Sequence, residues 1–150
     1  MRKDTIIWMG AGQIGLAIVR RIASGKKVII GDKSLEHARA AADLLNQAGF
    51  DAVAMAADLS SRESILSVIN EARKYGAVKY LVNAAGVSPS QASIETILNV
   101  DLYGTAVLLE EVGKVIAEGG CGVTISSQSG HRMPALTPEE DRALATTPTD

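Results

Sequence analysis

Short apolar runs and amphipathic stretches alternate along most of the chain, and that alternation specifies an architecture. Residues 5–9, 28–30, 52–57, 79–82 and 122–126 are short, apolar and largely free of charge, so each reads as a strand. Between them, residues 14–24, 35–48 and 60–75 follow helical spacing. In the first helix Ile14, Ala17, Ile18 and Ile22 share one face, which is expected to be buried, and Gly25 is its stop. Gly49 stops the second, and Ser60 with Glu63 offers a capping box for the third. A longer helical stretch covers residues 94–118, with a break near Asn99, and Gly119-Gly120 ends it. Strands and helices in strict alternation with short links predict an α/β fold, a doubly wound parallel sheet with helices on both faces. Residues 131–150 lack this periodicity. They hold three of the four prolines and read as an irregular loop or tail with one turn of helix after Pro138. The expected organisation is therefore one α/β domain over 1–130 and a tail over 131–150 leading into further sequence, so that the fold is incomplete at the C-terminus.

The turn between the first strand and helix reads Gly10-Ala11-Gly12-Gln13-Ile14-Gly15. Glycines at this spacing, after a strand and opening a helix, form the phosphate-binding turn of a Rossmann-type dinucleotide site. The first glycine permits the tight turn, the second lets backbone approach the pyrophosphate, and the third lets helix and strand pack closely. Phosphates would then meet free N–H groups at the positive end of the helix. The second strand leads into Asp32, 22 residues after Gly10, where an acid would hold the adenosine ribose hydroxyls. An acid there repels a 2′-phosphate, so NAD is preferred, while Lys33 beside it makes NADP tolerable. The other reading of Asp32 is N-cap of the helix from Leu35, and both roles can coexist.

Composition narrows the remaining classes. With 150 residues, 47% of them hydrophobic, the chain supports one domain with a core. A net charge of −2 gives no electrostatic reason to expect nucleic acid or an anionic membrane as partner. Cys121 is the single cysteine, which rules out an intrachain disulfide and reads as a small buried residue in a reducing compartment. No apolar stretch approaches membrane-spanning length, and the first strand is too short for a signal-peptide core, so a cytoplasmic location is expected.

Three further motifs follow strand ends: Asp58-Leu59, Asn83-Ala84-Ala85-Gly86 and Ile125-Ser126-Ser127. With these the sequence resembles the short-chain dehydrogenase/reductase family from residue 5 to about residue 130. The resemblance implies that Asp58-Leu59 contacts the adenine, that Asn83, Ala84, Ala85 and Gly86 lie along the cofactor, and that Ser127 is the catalytic serine. It implies an NAD(P)-dependent oxidoreductase passing hydride between a nicotinamide and a carbonyl or alcohol substrate, built as a dimer or tetramer. Elementary topology agrees: ligands bind beyond the carboxyl ends of strands in an open parallel sheet, and these motifs follow five different strands. Asn83 would alternatively be a purely structural tie, and Ser127 a hydroxyl satisfying the strand end; Ser126 and Ser129 lie close enough to be confused with it.

The sequence departs from the family pattern in three places. Its turn is Gly-x-Gly-x-x-Gly rather than Thr-Gly-x-x-x-Gly-x-Gly. Asp101, in Asp101-Leu102-Tyr103-Gly104, occupies the position of an active-site asparagine. The family's acid/base tyrosine and its lysine are missing where the resemblance would place them: no tyrosine follows Tyr103 and no lysine follows Lys114. The chain is therefore read as the N-terminal part of a longer reductase, or one whose tyrosine lies beyond an insertion. Two other functions fit parts of the pattern: a non-catalytic NAD-binding regulatory domain of the potassium-transport type, which residues 5–48 resemble, and an extended-type epimerase. His131-Arg132 reads as solvated loop, and Arg20-Arg21 and Lys26-Lys27 as solvated helix-end charges. Glu139-Glu140-Asp141 reads as an acidic first helical turn rather than a metal site, and no metal is expected.

Overall fold

The computed structural model describes residues 2–150. Five strands, β1 (Thr5–Met9), β2 (Lys27–Asp32), β3 (Asp51–Ala56), β4 (Val78–Asn83) and β5 (Cys121–Thr124), form one sheet in the order β3-β2-β1-β4-β5. All four pairings are parallel, with Ile7 opposite both Ile29 and Leu81 in the centre. The chain therefore starts in the middle, winds outward through β2 and β3, and crosses back to build β4 and β5. The connecting helices are α1 (Gln13–Ile22), α2 (Leu35–Gln47) and α3 (Arg62–Tyr75). A single turn, α4 (Ile94–Ile97), continues into a π-helical segment (Leu98–Gly104) and α5 (Thr105–Gly113). After β5 come a 3-10 turn (Gln128–His131) and α6 (Pro138–Thr146).

Because side chains alternate across a strand, neighbouring residues feed two separate cores. Ile7, Met9, Ile29 and Leu81 pack with Ile65, Val68 and Ile69 of α3 and Val107, Leu108 and Val112 of α5. Ile6, Trp8, Val28, Ile30 and Val82 point the other way, onto Leu16 and Val19 of α1 and Ala38, Ala41, Ala42 and Leu45 of α2. Each fully buried aliphatic side chain contributes roughly 1.5–3 kcal/mol, so both faces of the sheet are anchored. This is the doubly wound arrangement expected of the alternating pattern.

Several local expectations are corrected. The buried face of α1 is Gly15, Leu16 and Val19, with Ala23 after it, whereas Ile14 is 59% exposed and Ala17 is exposed. Gly15 sets that rotation, because it lies against Trp8 and takes its neighbours at +1, +4 and +8 with it. Ile18 and Ile22 flank the contact, half-buried. The N-cap of α3 is Ser61, whose hydroxyl accepts from Ser64 N, not Ser60. Ser60 is already committed, since its N–H and hydroxyl both donate to Asp58 Oδ1 at 2.9 and 2.6 Å.

Lys27 is not a solvated helix-end charge. It opens β2, is buried, and its Nζ lies 2.6 Å from Asp51 Oδ1 and 4.6 Å from the centre of the Tyr75 ring. Cys121 is exposed rather than buried, because β5 is an edge strand paired only with β4. The helical stretch expected over 94–118 is interrupted where a break was expected, near Asn99, by the π segment, but it ends earlier, at Gly113. The single turn expected after Pro138 is a helix of nine residues, opened by a capping box between Thr137 and Glu140. Its acidic first turn, Glu139, Glu140 and Asp141, lies where a helix N-terminus favours negative charge.

Candidate functional site

The strand order places the reversal of winding between β1 and β4, and two loops flank it: the glycine turn after β1 and the segment after β4. Their contact is backbone on backbone. Gly10 adopts a φ of +84°, and a Cβ built on it would come within 2.4 Å of Ala85 N, so only glycine fits. Ala84 N donates to Met9 O, and Gly10 N donates to Gly31 O, both at 2.8 Å. Gly15 approaches a side chain instead: its missing Cβ would sit 2.0 Å from Trp8 Nε1.

The N-terminus of α1 is open. Gly12 is its N-cap and supplies no side-chain hydrogen bond, whereas Ser34, Ser61 and Thr137 cap α2, α3 and α6. The first bond into α1 runs from Leu16 N to Gly12 O at 3.0 Å, which leaves the N–H groups of Gln13, Ile14 and Gly15 without intrahelical partners. A helix end left in this state favours an anion.

Beside this end lies a cleft of about 410 Å³. Of the residues singled out from sequence, Gly10, Gly12, Asp32, Lys33, Asp58, Leu59, Ala84, Ala85 and Gly86 line it. Gln13 and Ile14 are exposed on α1 outside its lining, Gly15 is buried against Trp8, and Asn83 is buried beneath the loop. The Asn83 side chain accepts from Ala85 N and donates to Thr105 Oγ1, each at 3.4 Å, so in this structure it ties the β4 loop to α5. Sequence reasoning missed His37, Gln91, Thr96 and Val100 in the lining. His37 is in the first turn of α2 after Asp32, a position the helix start predicts; the others arrive through the loop after β4, α4 and the π segment, which carry no motif.

Asp32 is oriented from two sides. Its Oδ1 accepts from Ser34 N and its Oδ2 from Ala11 N, both at 2.8 Å, while Ser34 rather than Asp32 caps α2. Each oxygen keeps a further acceptor direction. Asp58 faces it from the end of β3. Hydrogen bonds from the Ser60 hydroxyl and N–H hold the Asp58 carboxyl below its ordinary range against the opposing effect of burial, with a smaller contribution from Lys33. Lys33 Nζ stands 3.9 Å from Asp58 Oδ2 and is largely solvated.

A second cleft, of about 460 Å³, shares Ala85, Gly86, Val87 and Gln91 with the first and extends to the end of β5. Asp101 and Ser127 both line it, with Thr105, Thr124 and Ser126. Asp101 projects from the π segment and its Oδ1 accepts from Val87 N at 3.0 Å, fixing the loop that joins the clefts. The π segment ends in close packing: a Cβ on Gly104 would lie 2.3 Å from Leu59 O. Ser127 Oγ accepts from Ser129 N at 3.1 Å, which leaves its hydroxyl proton free to donate outward. Among the described residues, the Thr124 hydroxyl oxygen is the one buried side-chain polar atom without a partner, and it lies in this lining. Tyr103 lines neither cleft. No cluster of three metal-ligating side chains occurs among the described residues, and no helix there is long and apolar enough to cross a membrane.

Comparison with known proteins is consistent across sequence and structure. The family model described as short chain dehydrogenase matches residues 4–138. A short-chain dehydrogenase/reductase of Alternaria brassicicola, bsc3, is 38% identical over 133 residues, 89% of this chain and 48% of its own length. An uncharacterized oxidoreductase of Bacillus subtilis, YxjF, is 31% identical over 142 residues, 87% of this chain and 55% of its own. A short-chain dehydrogenase/reductase from Serratia marcescens superposes with a TM-score of 0.75 at 26% identity, covering 89% of this chain and 59% of that one. The chain thus spans about half the length of the curated relatives it matches.

Proposed function

The chain belongs to the short-chain dehydrogenase family, and from that premise we propose that it forms the cofactor half of an oxidoreductase that binds NAD(H) in preference to NADP(H). The observation that carries the reading is the continuity of the two clefts: the uncapped turn, Asp32 and Asp58 open into the same trough that ends at Ser127. The residues present fit a dinucleotide. Gly12 has open space where a Cβ would be, Ala84, Ala85 and Gly86 keep the far wall low, and the orphaned Thr124 hydroxyl marks a polar floor at the other end.

In this reading the N–H groups at the start of α1 bind the pyrophosphate, with Gly10, Gly12, Gln13, Ile14 and Gly15 forming the turn. Asp32 accepts from the adenosine ribose hydroxyls, and Asp58 with Leu59 borders the adenine. Two carboxylates face one lysine there, and Lys33 is drawn toward Asp58. That balance disfavours a 2′-phosphate and favours NAD. When bound, the nicotinamide supplies or accepts the hydride. Ser127 donates its free hydroxyl proton in a hydrogen bond to the substrate carbonyl or alcohol oxygen and orients it. Asp101 holds the Gly86–Val87 backbone that separates cofactor from substrate. The tyrosine and lysine that the family's proton transfer employs do not follow Ser127 within these 150 residues, which span about half the length of the curated relatives.

Titration of the protein with NADH and NADPH, followed by nicotinamide fluorescence, tests the reading. NADH is expected to bind more tightly, and Asp32→Ala to weaken it about tenfold or more, as loss of a hydrogen-bonded charge does. Tighter binding of NADPH, or an Asp32→Ala variant that binds NADH unchanged, would reverse the assignment. Ser127→Ala is expected to lower turnover about a hundredfold with little change in NADH affinity.

A further inference from the structure

Trp8 is the chain's single tryptophan and is fully buried in the central strand, on the face covered by α1 and α2. An indole N–H in such a place requires an acceptor, and this one takes the Gly10 carbonyl at 2.7 Å. The same peptide unit presents its other edge to Asp32: Ala11 N donates to Asp32 Oδ2 at 2.8 Å. In a trans peptide the C=O and N–H point in opposite directions, so Trp8 and Asp32 grip one plane from its two sides. Rotating that plane would strand the indole N–H in the core and remove one of the two bonds that orient the carboxylate. The indole has its place because Gly15 lacks a side chain, a Cβ there being 2.0 Å from Nε1. The third glycine of the turn thus admits the side chain that fixes the first.

We propose that Trp8 is a positioning residue for the cofactor, setting through the Gly10–Ala11 peptide the carboxylate of Asp32 that meets the adenosine ribose. The proposal rests on the dinucleotide reading of the first cleft. It differs from a core-filling role in what it couples: a tryptophan that only fills space would affect stability and leave ribose recognition alone.

The test is a double-mutant cycle in the protein, with NADH and NADPH dissociation constants measured for wild type, Trp8→Phe, Asp32→Asn and the double variant. Trp8→Phe is expected to weaken NADH about tenfold and to lower the ratio of NADH to NADPH affinity. The double variant is expected to bind NADH within about twofold of Asp32→Asn alone, because the Trp8 effect passes through Asp32. Losses that multiply, an unchanged cofactor ratio, or a folded Trp8→Phe protein that binds NADH like wild type would each overturn the proposal. A wild-type protein that binds neither dinucleotide would overturn the reading of the cleft together with it. Should Trp8→Phe fail to fold, replacing Trp8 by benzothienylalanine removes the donor at nearly constant shape, and the same outcomes decide.

Discussion

At the start of β2 the Lys27 ammonium is nearly buried, and the Asp51 carboxylate is what makes that burial tolerable. Lys27 and then Lys3 hold Asp51 below its ordinary value of 3.8, against the effect of burial. Asp51→Asn leaves Lys27 without its counter-charge and is expected to cost about 1–3 kcal/mol in urea unfolding at neutral pH. A lowered folded-state value means that this stabilisation is complete above the ordinary aspartate range and is lost as pH falls through the lowered value. The difference between wild type and variant should therefore be constant from neutral pH to about pH 5 and shrink below pH 4. Residue type alone did not reveal this pair, because a lysine after a helix looks solvated until another strand supplies its partner. The glycines were legible, since spacing and position between strand and helix imply close approach. Gly15→Ala forces the Trp8 indole aside and is expected to destabilise the fold by about 1–3 kcal/mol and to weaken NADH.

Two adjacent serines show how an element boundary acquires chemistry. Ser61 caps α3, and Ser61→Ala is expected to cost about 1 kcal/mol in thermal or urea unfolding while NADH affinity stays within twofold. Ser60 instead serves Asp58, and Ser60→Ala is expected to weaken NADH more than it lowers stability, with the Asp58 carboxyl, followed by NMR titration, moving back toward its ordinary range. The capping box that the sequence offers at Ser60 and Glu63 does not form: the cap falls one residue later, at Ser61, because Ser60 is held by the Asp58 carboxylate, a competitor outside any helical rule. The buried face of α1 escaped hydropathy for a related reason. Its contact is set by a glycine, which scores as nothing, so exposed Ile14 outweighed Gly15. The π segment was visible only as a disturbance near Asn99; the close approach of its Gly104 to Leu59 O joins residues far apart in sequence and carries no motif.

The whole molecule was legible where topology alone decides. A parallel sheet puts every strand's carboxyl end on one side, so Asp32, Asp58 and Gly86 converge with the glycine turn in any strand order. Which strands are neighbours was not legible, and neither was the division of Asp101 and Ser127 into a second cleft. Ile94, Leu98 and Leu109 leave apolar surface exposed along α4, the π segment and α5. The protein is expected to sediment as a dimer or tetramer, and Leu98→Lys with Leu109→Lys to shift it toward monomer if this surface is the contact. The strand order also has a kinetic consequence. Strands β1 to β3 pair with sequence neighbours, whereas Thr5 must wait for Val78 before the other edge of β1 is filled. Closing so long a loop is slow relative to the local pairings. Refolding followed by stopped-flow should thus show early sheet formation, with NADH capture delayed until β4 has docked, since the proposed dinucleotide site draws its two walls from the strands on either side of β1.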